Sequence, residues 1–310
     1  RKLFPRHDSA GRLEHFLKHG EISLALEASR HQPAVLDLLT NKQFSPPWMR
    51  QIVASTIDAD LLDYLRRDAY FAGLRQDYDD RIFSTFTLVD NQLAIDLSRL
   101  STRTEILHLL RLRYFLTERV YYHHAKVSSG AMIAKAVELA VEKGLVESDI
   151  YPLTDDTLIH HLLTYKDARI DRLIHGFTNR KLLKRAYMIT TANVGRRGRD
   201  EFIATYNRSV DARQKIEREI ADAVTLSPDQ IILYCPDISS INEPSVNIYT
   251  PKGLSQLNAP PDNPPFDVKV VEDQYERLWK LYVFAPEGYK ERVGKICERI
   301  LGESNALRVE

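Results

Sequence analysis

The stretch that decides the fold is Thr56-Ile57-Asp58-Ala59-Asp60-Leu61-Leu62-Asp63-Tyr64-Leu65-Arg66-Arg67-Asp68. At about 100° per residue, Asp60, Tyr64 and Asp68 share one arc of a helix, with Arg67 beside them and the leucines off that arc. Two acids, a phenol and a guanidinium on one face can bind a metal, a sugar hydroxyl and a phosphate. The same residues also fit a surface helix capped by Thr56 or Asp58, with acids favoured in its first turn by the helix dipole.

The amino-acid sequence of this stretch resembles the last metal-ligand motif of HD-domain phosphohydrolases. Among these, the resemblance is to the sterile-alpha-motif/HD-domain and dGTPase-like dNTP triphosphohydrolases. Two further segments agree in order. Phe4–Asp8 with the helix start after it resembles the active-site His-acid pair of the family, and Arg113–His124 resembles its phosphate-binding arginine helix. The resemblance covers roughly residues 4–190.

This resemblance implies two catalytic residues, Asp60 and His7. Asp60 would bind a divalent metal, with Mn, Fe, Mg and Zn all compatible with a carboxylate ligand, and His7 would contact phosphate or protonate the leaving oxygen. An HD site also needs an upstream His and an adjacent His-Asp pair. Phe-Pro-Arg precedes His7-Asp8, so we expect the segment carrying those ligands to be missing from this sequence.

The substrate residues implied by the resemblance are Arg113 for the phosphates and Tyr64, Asp68 and Tyr121 for the sugar. A planar guanidinium stays charged and binds phosphate oxygens bidentately. Asp68 would accept a hydrogen bond from the 3′-hydroxyl, and Tyr64 would pack near the 2′ carbon and favour deoxynucleotides. Without the resemblance, Tyr64 fits an ordinary core position and Arg113 fits a solvated helix face.

Two features bear on the charge of the ligand. The sterile-alpha-motif relatives carry a lysine directly after the metal aspartate, and here that position is Leu61, which cannot neutralise phosphate. Gly195-Arg196-Arg197-Gly198-Arg199-Asp200 reads as a basic loop opening a helix, either an anion or allosteric-nucleotide site or a solvated loop.

The composition excludes few functions. The 310 residues contain 43 basic and 43 acidic side chains, so no global charge argues for nucleic acid or an acidic membrane. The two cysteines form no metal or redox motif, and the sequence shows no membrane-span or signal-peptide pattern, which favours the cytoplasm.

The predicted fold class is mainly α, an HD-type helical core over residues 1–180 with an α+β region over 181–310. Helical spacing dominates residues 9–72, a hairpin is predicted over 85–97, and one long helix is predicted over 103–124. Beyond residue 180, strands are predicted near 182–189, 230–235, 246–250 and 278–285, with a proline-rich spacer at 258–265.

The sequence therefore predicts a metal-dependent phosphohydrolase of (deoxy)nucleoside polyphosphates, most simply one that converts a dNTP to deoxynucleoside and triphosphate. One alternative is HD-type hydrolysis of another nucleotide phosphoester. The other is a non-catalytic HD-fold protein that binds nucleotide or nucleic acid through its basic loop and α+β region. By analogy with relatives, a homo-oligomer is expected.

Overall fold

The computed structural model describes residues 4, 10–237, 246–257 and 266–308. His7 and the predicted proline-rich spacer lie outside these residues. The described chain is mainly helical with two small sheets, which confirms the predicted fold class. It divides into two compact units: the first unit holds residues 10–117, 246–257 and 266–274, and the second unit holds 118–237 and 275–308.

Fourteen α-helices lie within the described residues: α1 (Ala10–Lys18), α2 (Gly20–Ser29), α3 (Gln32–Thr40), α4 (Pro47–Val53), α5 (Ala59–Phe71), α6 (Leu100–Leu116), α7 (His124–Val141), α8 (Glu147–Ile150), α9 (Asp155–Leu163), α10 (Ala168–Thr178), α11 (Thr191–Phe202), α12 (Val210–Val224), α13 (Phe266–Arg277) and α14 (Lys290–Leu301). The strands within these residues are β1 (Phe86–Val89), β2 (Gln92–Asp96), β3 (Lys184–Thr190), β4 (Ile232–Tyr234), β5 (Asn247–Thr250), β6 (Gly253–Gln256) and β7 (Lys280–Ala285). Among these described helices, none is both long enough and apolar enough to cross a bilayer.

The start of α5 is fixed by Asp58, which settles the choice between the two predicted caps. The Asp58 carboxylate accepts a hydrogen bond from the backbone N–H of Leu61 at 2.8 Å and so satisfies a donor that the helix itself leaves unpaired. The helix buries its leucine face, made of Leu61, Leu62, Leu65 and Ala69. On the predicted arc, Asp60 is exposed, and Tyr64 and Asp68 are half-buried.

The predicted hairpin is confirmed as β1 and β2. Asp90 and Asn91 adopt positive φ angles of 51° and 59° between the paired residues Val89 and Gln92, as a two-residue turn of the mirror-image type requires. Strand β2 also pairs in parallel with β5, and the sheet order is β1-β2-β5-β6. Residues 247–256, which the sequence grouped with the region after residue 180, therefore complete the sheet of the first unit.

The helix predicted over residues 103–124 is present as far as Tyr121, but it is not an α-helix throughout. Helix α6 ends at Leu116, a turn of π-helix follows from Thr117 to Tyr121, and α7 begins at His124. The Thr117 hydroxyl donates to the Arg113 carbonyl at 2.7 Å, and the Thr117 N–H bonds to the same carbonyl. A π-turn holds more residues than an α-turn, so the residue spacing after Leu116 departs from that of an α-helix.

The second unit is a three-stranded antiparallel sheet, β3-β7-β4, with helices on both faces. Successive residues of β7 alternate between the faces, as strand geometry requires. Leu281 and Val283 pack with residues of α12 and α14 on one face, and Tyr282 and Phe284 pack with residues of α7 and α10 on the other. The strands predicted near 182–189, 230–235 and 278–285 are confirmed.

Candidate active site on helix α5

Asp60 lies in the first turn of α5, where the partial positive charge of the helix N-terminus favours a carboxylate. Its side chain is exposed and makes no hydrogen bond or ion pair with another residue that the structure describes. The neighbouring carboxyl of Asp58 is half-buried. Burial raises the pKa of Asp58, the cap hydrogen bond from Leu61 opposes this, and the charge of Asp60 adds to the increase. Two carboxylates thus stand together at one helix end.

Tyr64 and Arg113 are brought together from two helices, α5 and α6, which pack against each other. The half-buried Tyr64 phenol lies close enough to the Arg113 guanidinium to feel its charge. Burial raises the pKa of Tyr64, the Arg113 charge lowers it, and the Asp58 and Asp60 charges raise it. The metal-ligand and sugar candidates of the α5 motif therefore lie on a helix that packs against the helix of the phosphate candidate Arg113.

The Arg113 side chain makes no ion pair with a carboxylate among the described residues. Its donors are thus available for an anionic ligand. By contrast, Arg67 on α5 is bonded to Asp63 at 2.6 Å, one turn earlier on the exposed side of the helix. The ordinary surface pairing at this end of α5 therefore uses Asp63, and Asp68 lies half-buried on the arc of Tyr64.

Leu61 is 4% exposed and packs in the core. The helix therefore directs the residue after Asp60 away from the Asp60 arc, which explains locally why a leucine is tolerated there. A lysine at this position would have to emerge from the core to reach a phosphate.

The other two predicted site residues stay predictions. His7 lies outside the described residues. Tyr121 is half-buried at the end of the π-turn, in the second unit.

No cluster of three or more His, Cys, Asp or Glu side chains within the described ranges could hold a metal ion. Asp60 supplies a suitable hard oxygen ligand, but the described residues do not complete a coordination sphere around it. The assignment of Asp60 as a ligand therefore stays a prediction.

A hollow of about 810 Å³ opens beside α5, on a different face from Asp60. Its walls are mainly apolar, and the aromatic pair Tyr70 and Phe71 stands 78% and 80% exposed at its side. Asp60, Tyr64, Asp68 and Arg113 do not line it. The hollow is therefore separate from the predicted substrate face.

The basic segment at residues 195–199 is helical, and its arginines pair with carboxylates. It lies inside α11, kinked at Gly195, whose φ is 67°. Each of its arginines is bonded to a carboxylate: Arg196 to Glu276 at 2.8 Å, Arg197 to Glu201 at 3.2 Å and Arg199 to Asp200 at 2.9 Å.

A basic cleft of about 620 Å³ occurs elsewhere in the second unit, and the sequence did not reveal it. Lys184 at the start of β3 faces it together with Lys290 and Lys295 of α14, and none of these three pairs with a carboxylate among the described residues. About a hundred positions separate the two elements, so no local pattern could join them.

Comparison with known proteins identifies the family of this chain. The model of the HD associated region matches residues 77–307. The chain belongs to this family.

Individual relatives match shorter stretches. An uncharacterized protein of Mycoplasma pneumoniae is 40% identical over 62 residues, 19% of this chain and 15% of that protein. A deoxynucleoside triphosphate triphosphohydrolase SAMHD1 homolog of Dictyostelium discoideum is 27% identical over 139 residues, 42% of this chain and 26% of that protein. The chain thus spans far less than two thirds of the length of either relative.

A crystal structure of a phosphohydrolase from Bacteroides thetaiotaomicron shares the fold of the HD-associated chain. Its TM-score is 0.56 at 17% identity, over 89% of this chain and 76% of that one. At this identity the likeness is one of fold.

Proposed function

We propose that this HD-associated protein is a phosphohydrolase that acts on nucleotide phosphoesters. The observation that carries the proposal is the meeting of Tyr64 and Arg113 beside the exposed Asp60. A guanidinium without a carboxylate partner suits phosphate, and a half-buried neutral phenol suits a sugar. The phosphohydrolase of similar fold and the triphosphohydrolase homolog of similar sequence support the same class of activity.

Within this proposal the substrate is a dNTP, cleaved to deoxynucleoside and triphosphate. Arg113 binds phosphate oxygens, Asp68 accepts a hydrogen bond from the 3′-hydroxyl, and Tyr64 closes the pocket beside the 2′ carbon. Tyr121 contacts the sugar or base, and His7 contacts phosphate or protonates the leaving oxygen. A divalent metal, when bound, polarises the phosphate and activates water, and Asp60 is the residue of this chain proposed to bind it.

The charges near α5 also suit a phosphoester substrate with fewer phosphates than a dNTP. The described face of α5 bears Asp60 and Asp68, while Arg113 is the cation near it that lacks a carboxylate partner among the described residues. Fewer substrate phosphates would need less compensation than a triphosphate, since each added charge must be matched locally.

The test is to incubate the full-length protein with matched mono-, di- and triphosphates of deoxy- and ribonucleosides and to identify the products. The proposed reaction yields deoxynucleoside and intact tripolyphosphate, which ion chromatography separates from orthophosphate and pyrophosphate. Orthophosphate released from monophosphates would favour the second substrate class. Absence of turnover across the panel, with and without added Mn, Fe, Mg or Zn, would overturn the enzymatic proposal.

A non-catalytic nucleotide-binding role is the second candidate, and the basic cleft favours it. Lys184, Lys290 and Lys295 around about 620 Å³ suit a polyanion better than the paired arginines of α11 do. For this candidate, nucleotide binds to the parent without turnover, and Lys290→Ala with Lys295→Ala abolishes that binding. Homo-oligomerisation stays a prediction that sedimentation can check.

A further inference from the structure

Two aromatic side chains stand in solvent at the C-terminal end of α5. Tyr70 is 78% exposed and Phe71 is 80% exposed, and their rings meet edge to face with centroids 5.3 Å apart. A single exposed apolar residue is ordinary on a protein surface. Two adjacent rings that are almost fully exposed form a patch of the kind that marks an interaction site. We call this pair the aromatic knob.

The backbone that carries the aromatic knob is fixed before any partner binds. The N–H of Leu74 donates to the Ala69 carbonyl at 2.9 Å, and the N–H of Gly73 donates to the Tyr70 carbonyl at 3.1 Å. With Gly73 at a φ of 68°, these two hydrogen bonds form the Schellman motif that closes the end of a helix. Rings on a closed turn lose little backbone entropy when they dock, and rigid aromatic residues are typical binding hot spots.

The hollow of about 810 Å³ that the aromatic knob borders has the size and the lining to receive such rings. Its walls are mainly apolar and include Ile52 and Phe83, which are 39% and 52% exposed. Pockets of about 300–1,000 Å³ hold drug-sized ligands, so this one has room for two aromatic side chains. The knob and its complement therefore lie side by side on one surface of the first unit.

The charges at the hollow are already neutralised within the chain. Among the described residues, the charged side chains that line it are two acids and two arginines of the α5 region. Arg66 bonds to Asp77 at 2.7 Å, and Arg67 bonds to Asp63 at 2.6 Å. The Asp58 carboxylate caps α5. Such a surface suits an apolar occupant better than a phosphate, because its cations are engaged with carboxylates.

A second copy of this chain matches these features together. Across a two-fold axis each protomer presents the same patch, so the knob of one enters the hollow of the other while the reverse contact forms. Residues near such an axis face their own counterparts, and unpaired charges there would repel each other. Ion pairs that are closed within each chain avoid this repulsion.

The area that this exchange buries reaches what a stable dimer needs. An aromatic side chain offers about 200 Å², so Tyr70 and Phe71 together bury roughly 300 Å² per protomer at their observed exposures. The walls that cover the rings lose a comparable area. The total of roughly 1,200 Å² lies at the lower end of the range for stable protein–protein interfaces, for which we expect a dissociation constant of about 1 µM.

We propose that this face of the first unit is a homodimer interface, in which the aromatic knob of each protomer inserts into the hollow of its partner. The proposal gives a specific surface to the homo-oligomer that was expected by analogy. It does not depend on the proposed reaction, since Asp60 and Arg113 do not line the hollow.

The experiment is sedimentation velocity of the full-length protein, at concentrations from well below to well above about 1 µM. We expect a reversible monomer–dimer equilibrium in the parent, and Tyr70→Ser with Phe71→Ser should raise its dissociation constant at least about 100-fold. The control is Leu88→Ser, which removes a 57% exposed apolar side chain that does not line the hollow and should leave the equilibrium unchanged. A parent that is monomeric at every concentration, or an assembly that the double substitution leaves unchanged, would overturn the proposal.

Phe83→Ser reaches the same contact from the wall of the hollow and should also weaken the dimer, so the test does not depend on one variant. Circular dichroism checks that each variant is folded.

A further measurement distinguishes a second copy from a small apolar ligand as the occupant. The dye ANS binds exposed apolar surface. If a second copy fills the hollow, the dye bound per protomer should fall as the protein concentration rises through the dissociation constant. In the monomeric double variant it should stay constant. A constant amount of bound dye per protomer in the parent would show that the hollow stays open, and would overturn the proposal.

Discussion

Lys135 of α7 lies 2.7 Å from Glu217 of α12, and both side chains are almost completely buried, at 5% and 0% exposure. The other Glu217 oxygen accepts from the Leu233 N–H of β4 at 3.0 Å. Glu138 extends the network by bonding to Lys135 at 3.1 Å and to the buried Arg213 at 3.0 Å. Two cations and two anions thus balance inside the second unit and tie α7 to α12 and β4.

Glu217→Gln should destabilise the protein by about 3 kcal/mol, because removing one charge from a buried pair leaves its partner uncompensated. Urea unfolding followed by circular dichroism would measure this. The matched control is Glu201→Gln, which removes the partner of the 94% exposed Arg197 and should cost no more than about 1 kcal/mol. Equal losses in the two variants would show that the buried network contributes nothing special.

The fold was predictable from sequence wherever the signal was local. The Asp90-Asn91 turn lies between two runs of strand-forming residues, and the buried leucines of α5 recur at helical spacing, so both elements could be located. The π-turn after Leu116 could not be foreseen, because apolar spacing does not distinguish a single wider turn from the α-helix that it continues. Nor could the β2–β5 pairing, which joins residues about 150 positions apart.

In the candidate site, too, some features follow from local sequence and others depend on tertiary packing. The arc of Asp60, Tyr64 and Asp68 follows from helix geometry alone. The meeting of Tyr64 with Arg113 depends on how two helices pack, and only the resemblance to a family anticipated both residues. Helix packing also explains why position 61 holds a leucine, because this position lies on the face of α5 that is buried in the first unit.

Arg113→Ala should raise the KM for nucleotide by about tenfold or more, since charged hydrogen bonds to phosphate are among the stronger ones. Arg113→Lys should recover little, because an ammonium cannot reproduce a two-donor fork. The control is Arg111→Ala, an exposed arginine on the same helix, for which steady-state kinetics should match the parent. If both Arg113 variants show kinetics near those of the parent, Arg113 does not bind the substrate and only lies on a solvated face of the helix.

Asp60→Ala should remove bound metal and hydrolysis from the full-length protein while the fold survives, since an exposed first-turn acid stabilises a helix by only about 0.3–1 kcal/mol. Elemental analysis of the purified variant gives the metal content. Asp63→Ala is the matched control on the same helix, an exposed carboxylate bonded to Arg67, and it should retain the metal. An unchanged metal content in Asp60→Ala would show that Asp60 is not a metal ligand.

Cys235 and Cys297 should make the protein less stable in alkali. Burial raises the pKa of each thiol to about 12, whereas an unfolded thiol titrates near about 8.5. The folded state therefore holds these protons longer, and stability falls as pH rises from the unfolded toward the folded pKa. Urea titrations at several alkaline pH values would measure the slope, which Cys297→Ala should reduce. At neutral pH, iodoacetamide should label neither thiol until urea unfolds the chain; rapid labelling of the folded protein would contradict the burial.

The ring of Tyr64 should set the preference for deoxynucleotides. If it closes the space beside the 2′ carbon, a ribose hydroxyl is excluded and also loses its hydrogen bonds to water, which makes the discrimination large. Tyr64→Ala should then narrow the ratio of kcat/KM between matched deoxy- and ribonucleotides, and Tyr64→Phe, which keeps the ring, should preserve that ratio. Asp68→Asn should weaken both substrates, because the 3′-hydroxyl is common to them. Equal kcat/KM for matched deoxy- and ribonucleotides in the parent would refute the exclusion of ribose by Tyr64. That result would favour a phosphoester substrate of another kind.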